Sequence, residues 1–346
     1  MARIVVLSFR LGGTDGVAIE AEKWIRALST LGHDVTTIAG GGVADVILPG
    51  LAIDATTPPT LHELERALGD PDLVVVENLA SLPLNLRARD VLYDALAGQR
   101  TLFHHHDLPW QRPHLATLEG PRDGPGWWHV TINERSEREL RERGIEALTM
   151  MNSFDCDPPH GRRALARASI GVRDERVVLM PTRALPRKNV AGALVLCETL
   201  DAILWLLGPA EDGYDAPLEE LLDASPVDVR RGARDDIDIH DTYAACDLVV
   251  MPSTWEGFGN PVIESVTHRR PLALYPYPVA LEIMAYGFRF FDLLDVDDIA
   301  SFLSTPDPEL LANNLTIAQA HFDVADLPRR LASLLRTMGI QTPTNL

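Results

Sequence analysis

Short continuous apolar runs recur along this chain, and stretches with helical spacing separate them. The run at residues 3–9 leads into a loop of small residues, Leu11-Gly-Gly-Thr-Asp-Gly16. Val17, Ile19, Ala21, Trp24, Ile25 and Leu28 then follow at helical spacing. Gly32 stands where a C-cap belongs, just before a second run at 34–38. Strand, helix and strand in that order predict a βαβ unit and a parallel sheet. Further runs at 72–77, 100–103, 129–132 and 147–151 read as strands buried on both faces.

The character changes after residue 154. Asp155-Cys-Asp-Pro-Pro-His-Gly161 is turn-rich, and Arg162, Arg163 and Arg167 follow, so a domain boundary is expected there. A second series then predicts strands at 176–180, 202–207, 247–251 and 271–275. Helices are expected at 189–200, 215–224 and 261–269, at a start capped by Asp241, and along a tail from 308 to 338. The predicted domains are residues 1–157 and 158–318, followed by a C-terminal helical segment, 319–346. The fold class is α/β: two tandem Rossmann-like, doubly wound domains. Ligands in such sheets bind outside the carboxyl ends of the strands, here in a cleft between two facing domains.

Composition narrows the partners. The 346 residues suit about two domains. A net charge of −19 repels a polyanion, so nucleic acid is a poor partner. An anionic lipid surface is disfavoured globally, although a local basic face could still make peripheral contact. No apolar stretch approaches the roughly 18–20 residues that span a bilayer. The first residues read as a strand and not as a signal peptide. The three cysteines, Cys156, Cys197 and Cys246, lie far apart, which suits a reducing, cytoplasmic compartment.

Four loops after strands carry the candidate chemistry. In Pro252-Ser-Thr-Trp-Glu256-Gly257-Phe258-Gly259-Asn260-Pro261-Val-Ile-Glu264, two glycines precede a helix whose first turn accepts Pro261. Glycine backbone and helix-start N–H groups together form a cradle for an anion or hydroxyl. The second loop, Pro181-Thr-Arg183-Ala-Leu-Pro-Arg187-Lys188-Asn189, places fixed positive charge beside a helix start, which suits a diphosphate. Arg187 is an additional charge with no assigned role. In the third, Gly12-Gly13-Thr14-Asp15-Gly16, small residues would let a backbone approach a phosphate. It lacks the GxGxxG pattern, and no acid ends the next strand, so a dinucleotide cofactor is disfavoured. The fourth is Phe103-His104-His105-His106-Asp107-Leu-Pro-Trp110-Gln-Arg112. Alternation puts His104 and His106 on one side of the strand. No Cys, Asp or Glu cluster at ligand spacing accompanies them in sequence, so no metal is expected.

The segment from Glu256 to Glu264 resembles the E-x7-E signature of retaining family-four glycosyltransferases, which have the GT-B fold. The resemblance extends to Arg183-x4-Lys188, to the N-terminal glycine loop, to the turn Asn152-Ser-Phe-Asp155 and to a final helix after Asn313-Asn314. It implies an N-terminal acceptor domain, a C-terminal nucleotide-sugar domain and a last helix that crosses back to the first. It assigns Glu256, Gly257, Phe258, Gly259 and Asn260 to the donor sugar, Glu264 to the ribose, and Gly13, Gly16, Arg183 and Lys188 to the diphosphate. His106 is the best match to a histidine near the reacting centre, with His104 and His105 as the other registers. Two departures stand out: Asn189 where the family has Gly, and Ser153 where its hinge turn has Gly. By position alone, Glu77, Asn78, Trp110 and Arg112 are candidate acceptor contacts.

The implied reaction is transfer of a hexosyl group from a nucleoside-diphosphate sugar to a hydroxyl of a small molecule or glycan. Configuration would be retained, with no metal or other cofactor. The alternatives are a UDP-sugar 2-epimerase on the same architecture and a catalytically inactive sugar-nucleotide-binding protein. Asp236-Ile-Asp238 imitates a DxD metal motif, but helix capping explains it better.

Overall fold

The computed structural model describes residues 1–13 and 15–342. The chain divides into two compact units, one of residues 1–153 with 324–346 and one of residues 154–323.

The first unit carries strands β1 (Arg3–Ser8), β2 (Asp34–Ala39), β3 (Val46–Ile47), β4 (Leu73–Glu77), β5 (Thr101–His105), β6 (Trp127–Thr131) and β7 (Ala147–Thr149). They form one parallel sheet in the order β3-β2-β1-β4-β5-β6-β7. Helices α1 (Gly16–Thr30), α2 (Leu61–Leu68), α3 (Leu86–Ala95) and α4 (Glu134–Arg141) make the crossovers. Both faces of the sheet are covered, which is why its strands are continuous apolar runs. Ile4, Val6, Leu73 and Val75 pack with Trp24 and Leu28, whereas Val5, Leu7, Val74 and Val76 pack with Leu64, Ala88 and Leu92.

The second unit begins with α5 (Arg163–Ser169) and holds β8 (Arg176–Met180), β9 (Ala202–Leu206), β10 (Val229–Arg231), β11 (Leu248–Met251), β12 (Leu272–Leu274) and β13 (Phe291–Asp292). Their order in a parallel sheet is β10-β9-β8-β11-β12-β13. Its helices are α6 (Val190–Thr199), α7 (Asp215–Asp223), α8 (Ile239–Ala245), α9 (Pro261–Thr267), α10 (Pro278–Met284), α11 (Val296–Ser304) and α12 (Pro308–His321). The expected helical tail is interrupted at 322–326 and resumes as α13 (Leu327–Thr337). Helix α13 belongs to the first unit, where Leu327, Leu331 and Leu335 join Ala2, Trp24 and Leu28 in one core cluster. Among the described residues, no helix is long and apolar enough to cross a membrane.

One expectation needs correction. Asp238, not Asp241, caps α8, accepting from the Asp241 N–H at 2.8 Å. Asp241 is the third residue of that helix, completes a capping box and pairs with Arg162 at 2.5 Å. The acid at 238 in the DxD-like triplet is therefore a helix cap.

Candidate active site

In the second unit, the loops after β8 and β11 are knit together. Glu256 is 6% exposed and accepts from Lys188 Nζ at 2.5 Å through one oxygen and from Arg187 Nη1 at 2.8 Å through the other. Arg187 also donates to the Trp255 carbonyl at 3.0 Å, and its own carbonyl accepts from the Thr254 N–H at 2.9 Å. Burial pushes the Glu256 carboxyl up, but Lys188 and Arg187 together outweigh it and hold the group below its usual range. Burial likewise draws the Lys188 ammonium down, against the pull of Glu256. The two cations and one carboxylate leave one positive charge in excess. Arg183 is half-exposed and pairs with Glu211 at 2.5 Å. Among these groups, Arg187 is the one that sequence reasoning left without a role.

Asn189 adopts φ +53, and its side chain accepts from the Gly192 N–H, capping α6. Left-handed backbone is the conformation that Gly adopts freely and that Asn tolerates better than most residues. Asn replaces Gly here without changing the turn, and adds a cap.

Gly259 has φ +90, and a Cβ there would lie 2.1 Å from the Tyr277 hydroxyl. That hydroxyl donates to the Phe258 carbonyl at 2.9 Å, so the glycine is required by a close approach that fixes the loop. Phe258 is buried and stacks on Phe154 at 5.8 Å. Asn260 is the N-cap of α9 and makes no side-chain capping bond. Glu264 lies one turn into α9 and accepts from the buried Tyr243 hydroxyl at 2.8 Å. Tyr243 also stacks on His268 at 4.4 Å, and His268 Nδ1 lies 2.7 Å from the Glu264 carbonyl. Nothing in the local sequence of α8 marks Tyr243 as the partner of an acid 21 residues away.

In the first unit, the glycine loop lies between β1 and α1. Gly12 has φ +71, Gly13 would crowd the Asp15 carboxylate at 3.0 Å if it had a Cβ, and Gly16 is the first residue of α1. Thr14 lies outside the described residues. Asp15 caps α1 by accepting from Val17 and Ala18 N–H, both at 3.1 Å, and pairs with Arg10 at 2.7 Å. These helix-start donors thus already serve a carboxylate.

The three histidines divide as strand alternation requires. His105 lies 2.6 Å from Ser81 Oγ through Nδ1 and 2.9 Å from His129 through Nε2, and burial pushes it well below the usual imidazole range. His104 and His106 turn to the other side. His104 Nδ1 and His106 Nε2 both reach Glu77 Oε2, at 2.9 and 3.1 Å. Burial pushes the Glu77 carboxyl up, but His104 and His106 overcome it and bring the group to about 2. An acid therefore does accompany the histidines, supplied by the neighbouring strand β4 in register with His104. The sequence argument that no acid lies near them fails for that reason.

The three donor atoms lie within 4.8 Å of one another, a spacing that suits a metal ion. The surroundings suit one less well. A metal-bound imidazole donates its second N–H to an acceptor, and His104 Nε2 is buried with no partner among the described residues. The trio is better described as two imidazole donors sharing one carboxylate oxygen.

The acceptor candidates are tied into the same region. Asn78, at φ +55, accepts from the His106 N–H at 3.1 Å and the Asp107 N–H at 3.4 Å through its side chain. Trp110 donates to Glu139 at 2.8 Å beneath the Arg143 guanidinium, and Arg112 pairs with Asp107 at 2.8 Å. At the turn preceding the second unit, Ser153 has no positive φ, so Gly is not needed there. Its N–H donates to buried Glu20 at 3.2 Å and its hydroxyl accepts from Arg330.

Residues 163–301 match the family described as "Glycosyl transferases group 1". The chain is 26% identical to a mannosylglucosylglycerate synthase of Thermotoga maritima, an alignment that covers 94% of this chain and 97% of that protein. It is 24% identical to a mannosylglucosylglycerate synthase of Petrotoga mobilis, over 84% of this chain and 86% of that one. In fold it is similar to Anabaena Alr3699/HepE in complex with UDP-glucose, with a TM-score of 0.74, 18% identity and coverage of 97% and 100%. It is also similar to a sucrose-phosphate synthase of Thermosynechococcus elongatus, with a TM-score of 0.72, 16% identity and coverage of 98% and 99%.

Proposed function

Since the chain belongs to the group 1 glycosyltransferases, with their GT-B fold, we propose that it moves a hexosyl group from a nucleoside-diphosphate sugar to a hydroxyl acceptor with retention of configuration. The observation that carries this reading is the buried pair Glu256 and Lys188, joined by the part-buried Arg187 across two loops at the carboxyl ends of β8 and β11. A carboxylate fixed by two cations is preorganised to accept from sugar hydroxyls. Lys188, Arg187 and Arg183 supply positive charge for the departing diphosphate, which needs stabilisation as its bond to the sugar breaks. Glu264, oriented by Tyr243, is assigned to the ribose. Among the described residues the partners of Glu256 are Lys188 and Arg187 and no second carboxylate or imidazole, which suits a mechanism in which the leaving phosphate takes the acceptor's proton on the same face. His106 is assigned to orienting the transferred sugar. This assignment of roles needs no metal.

The acceptor we infer is a small glycosylglycerate, since the product named for the two synthases that align along most of this chain is a mannosylglucosylglycerate. The test is transfer from a panel of nucleoside-diphosphate hexoses to glucosylglycerate, with the new anomeric linkage read by NMR. Transfer with the donor's configuration is expected. An inverted linkage, or acceptor-free epimerisation of a UDP-sugar, would overturn the reading. Donor binding without transfer or hydrolysis would identify an inactive binding protein.

A further inference from the structure

We infer that Glu211 is a positioning residue for Arg183: its carboxylate, on the loop after β9, holds the guanidinium through one nitrogen, so that the other nitrogens stand ready for the donor diphosphate. The inference deepens the transfer reading above and rests on it for the identity of the ligand. Both residues belong to the second unit, and nothing outside that unit is needed.

The first support is the way the backbone brings the pair together. Parallel pairing of β8 with β9 continues past the strand ends. There the Leu207 N–H donates to the Met180 carbonyl at 3.1 Å, and the Gly208 N–H to the Thr182 carbonyl at 3.2 Å. The Ala184 N–H then donates to the Pro209 carbonyl at 2.8 Å, and the Glu211 N–H to the Ala184 carbonyl at 3.2 Å, with Ala184 and Ala210 forming a parallel bridge. Gly208 lets the two loops meet, since a Cβ there would lie 2.6 Å from the Arg183 Cα. The register of these bonds sets Glu211 beside Arg183 across 28 residues of chain.

The second support is what the contact uses and what it leaves. Arg183 Nη1 donates to Glu211 Oε2 at 2.5 Å, and the guanidinium makes no other hydrogen bond or ion pair among the described residues. An arginine carries five donors in a rigid fork, so Nη2 and Nε keep theirs for a phosphate. The stem is long and flexible, and fixing it on binding costs rotamer freedom. A carboxylate already in place removes part of that cost before the ligand arrives. The third support is charge. Burial first, and then the charges of Arg187 and Arg183, draw the Lys188 ammonium down against Glu256, so the three cations act on one another. Repulsion would drive the exposed one, Arg183, towards solvent. Glu211 offsets that repulsion and keeps Arg183 with the other two.

Titration calorimetry on the full chain with UDP, GDP and ADP tests this, the tightest binder of the three being carried to the variants. Glu211→Ala should weaken its binding about 3–10-fold, although the change removes a negative charge beside an anion site. Electrostatics without positioning gives the opposite sign, a tighter complex. Glu211→Gln keeps an acceptor oxygen and should retain part of the affinity. Because Glu211 acts through Arg183, Glu211→Ala should cause no further weakening in an Arg183→Ala background. Tm should stay close to that of the wild type, since the pair is half-exposed. Unchanged or tighter binding in Glu211→Ala would overturn the inference. So would an equal weakening with and without Arg183, accompanied by a fall in Tm, which marks a residue that merely holds its loop. Absence of binding of all three diphosphates by the wild-type protein counts against the function proposed above and removes this inference with it. Binding that depends on Arg183 and is indifferent to Glu211 counts against this inference alone.

Discussion

The Lys188 ammonium donates to Glu256 at 2.5 Å with both side chains buried, so the first acid of the E-x7-E segment and the lysine of the basic loop are one unit. Lys188→Ala should cost about 1–3 kcal/mol, because it leaves part of a buried carboxylate without its partner. It should also lower turnover about 10²–10³-fold through loss of charge stabilisation. Arg183→Ala differs. Its pair with Glu211 is half-exposed, so stability should change by less than about 1 kcal/mol while turnover still falls. Urea unfolding and steady-state rates on the two variants separate these effects. Near-normal turnover in both would remove the diphosphate assignment.

Asn189 offers a test of the departure from Gly. Asn189→Gly keeps the φ of +53 without strain and loses the cap to Gly192 and the side-chain bond to the Pro252 carbonyl at 3.3 Å, a cost of about 0.5–1.5 kcal/mol. Asn189→Ala loses the cap and also strains the backbone, about 2 kcal/mol or more in sum. Thermal melts should therefore rank Asn above Gly and Gly above Ala.

Gly259→Ala places a methyl 2.1 Å from the Tyr277 hydroxyl at a φ of +90. Overpacking of this kind should cost about 1–3 kcal/mol. Tyr277→Phe removes the clashing oxygen, so the double variant should be more stable than the two single losses added together predict. Strict additivity in a double-mutant cycle would show that the contact does not govern the loop.

The Tyr243 hydroxyl is expected to act on binding more than on chemistry. Tyr243→Phe removes the bond to Glu264 at 2.8 Å and leaves the stack on His268. Affinity for the nucleoside diphosphate should weaken by about 0.5–1.5 kcal/mol, with kcat little changed. Titration calorimetry checks it, and an unaltered affinity would detach Glu264 from the ribose.

Glu77 also gives a signed pH dependence of stability. Its folded pKa of about 2 lies below the unfolded value of about 4.3, so its contribution is complete above the unfolded value. It is lost as pH falls from there towards about 2. Glu77→Gln should flatten the acid limb of stability against pH over that window. Parallel acid limbs in the two proteins would show that Glu77 is not paired in the fold.

The sequence alone determined most strands of the two sheets and where the candidate loops lie. Strands such as Val74-Val75-Val76 and Val249-Val250 are apolar on both faces because helices cover both, and such runs are visible without coordinates. Three of the four edge strands, β3, β10 and β13, two or three residues long, offered no such run. Glu256, Lys188 and Glu264 were legible because glycines, prolines and charges mark loop and helix start locally. Only tertiary structure decided their partners. Arg187 meets Glu256 across 69 residues, Tyr243 meets Glu264 from another helix, and Glu77 meets two histidines because parallel pairing sets β4 beside β5. Hydrogen bonds and ion pairs act over about 3 Å in space, and a sequence records only separation along the chain.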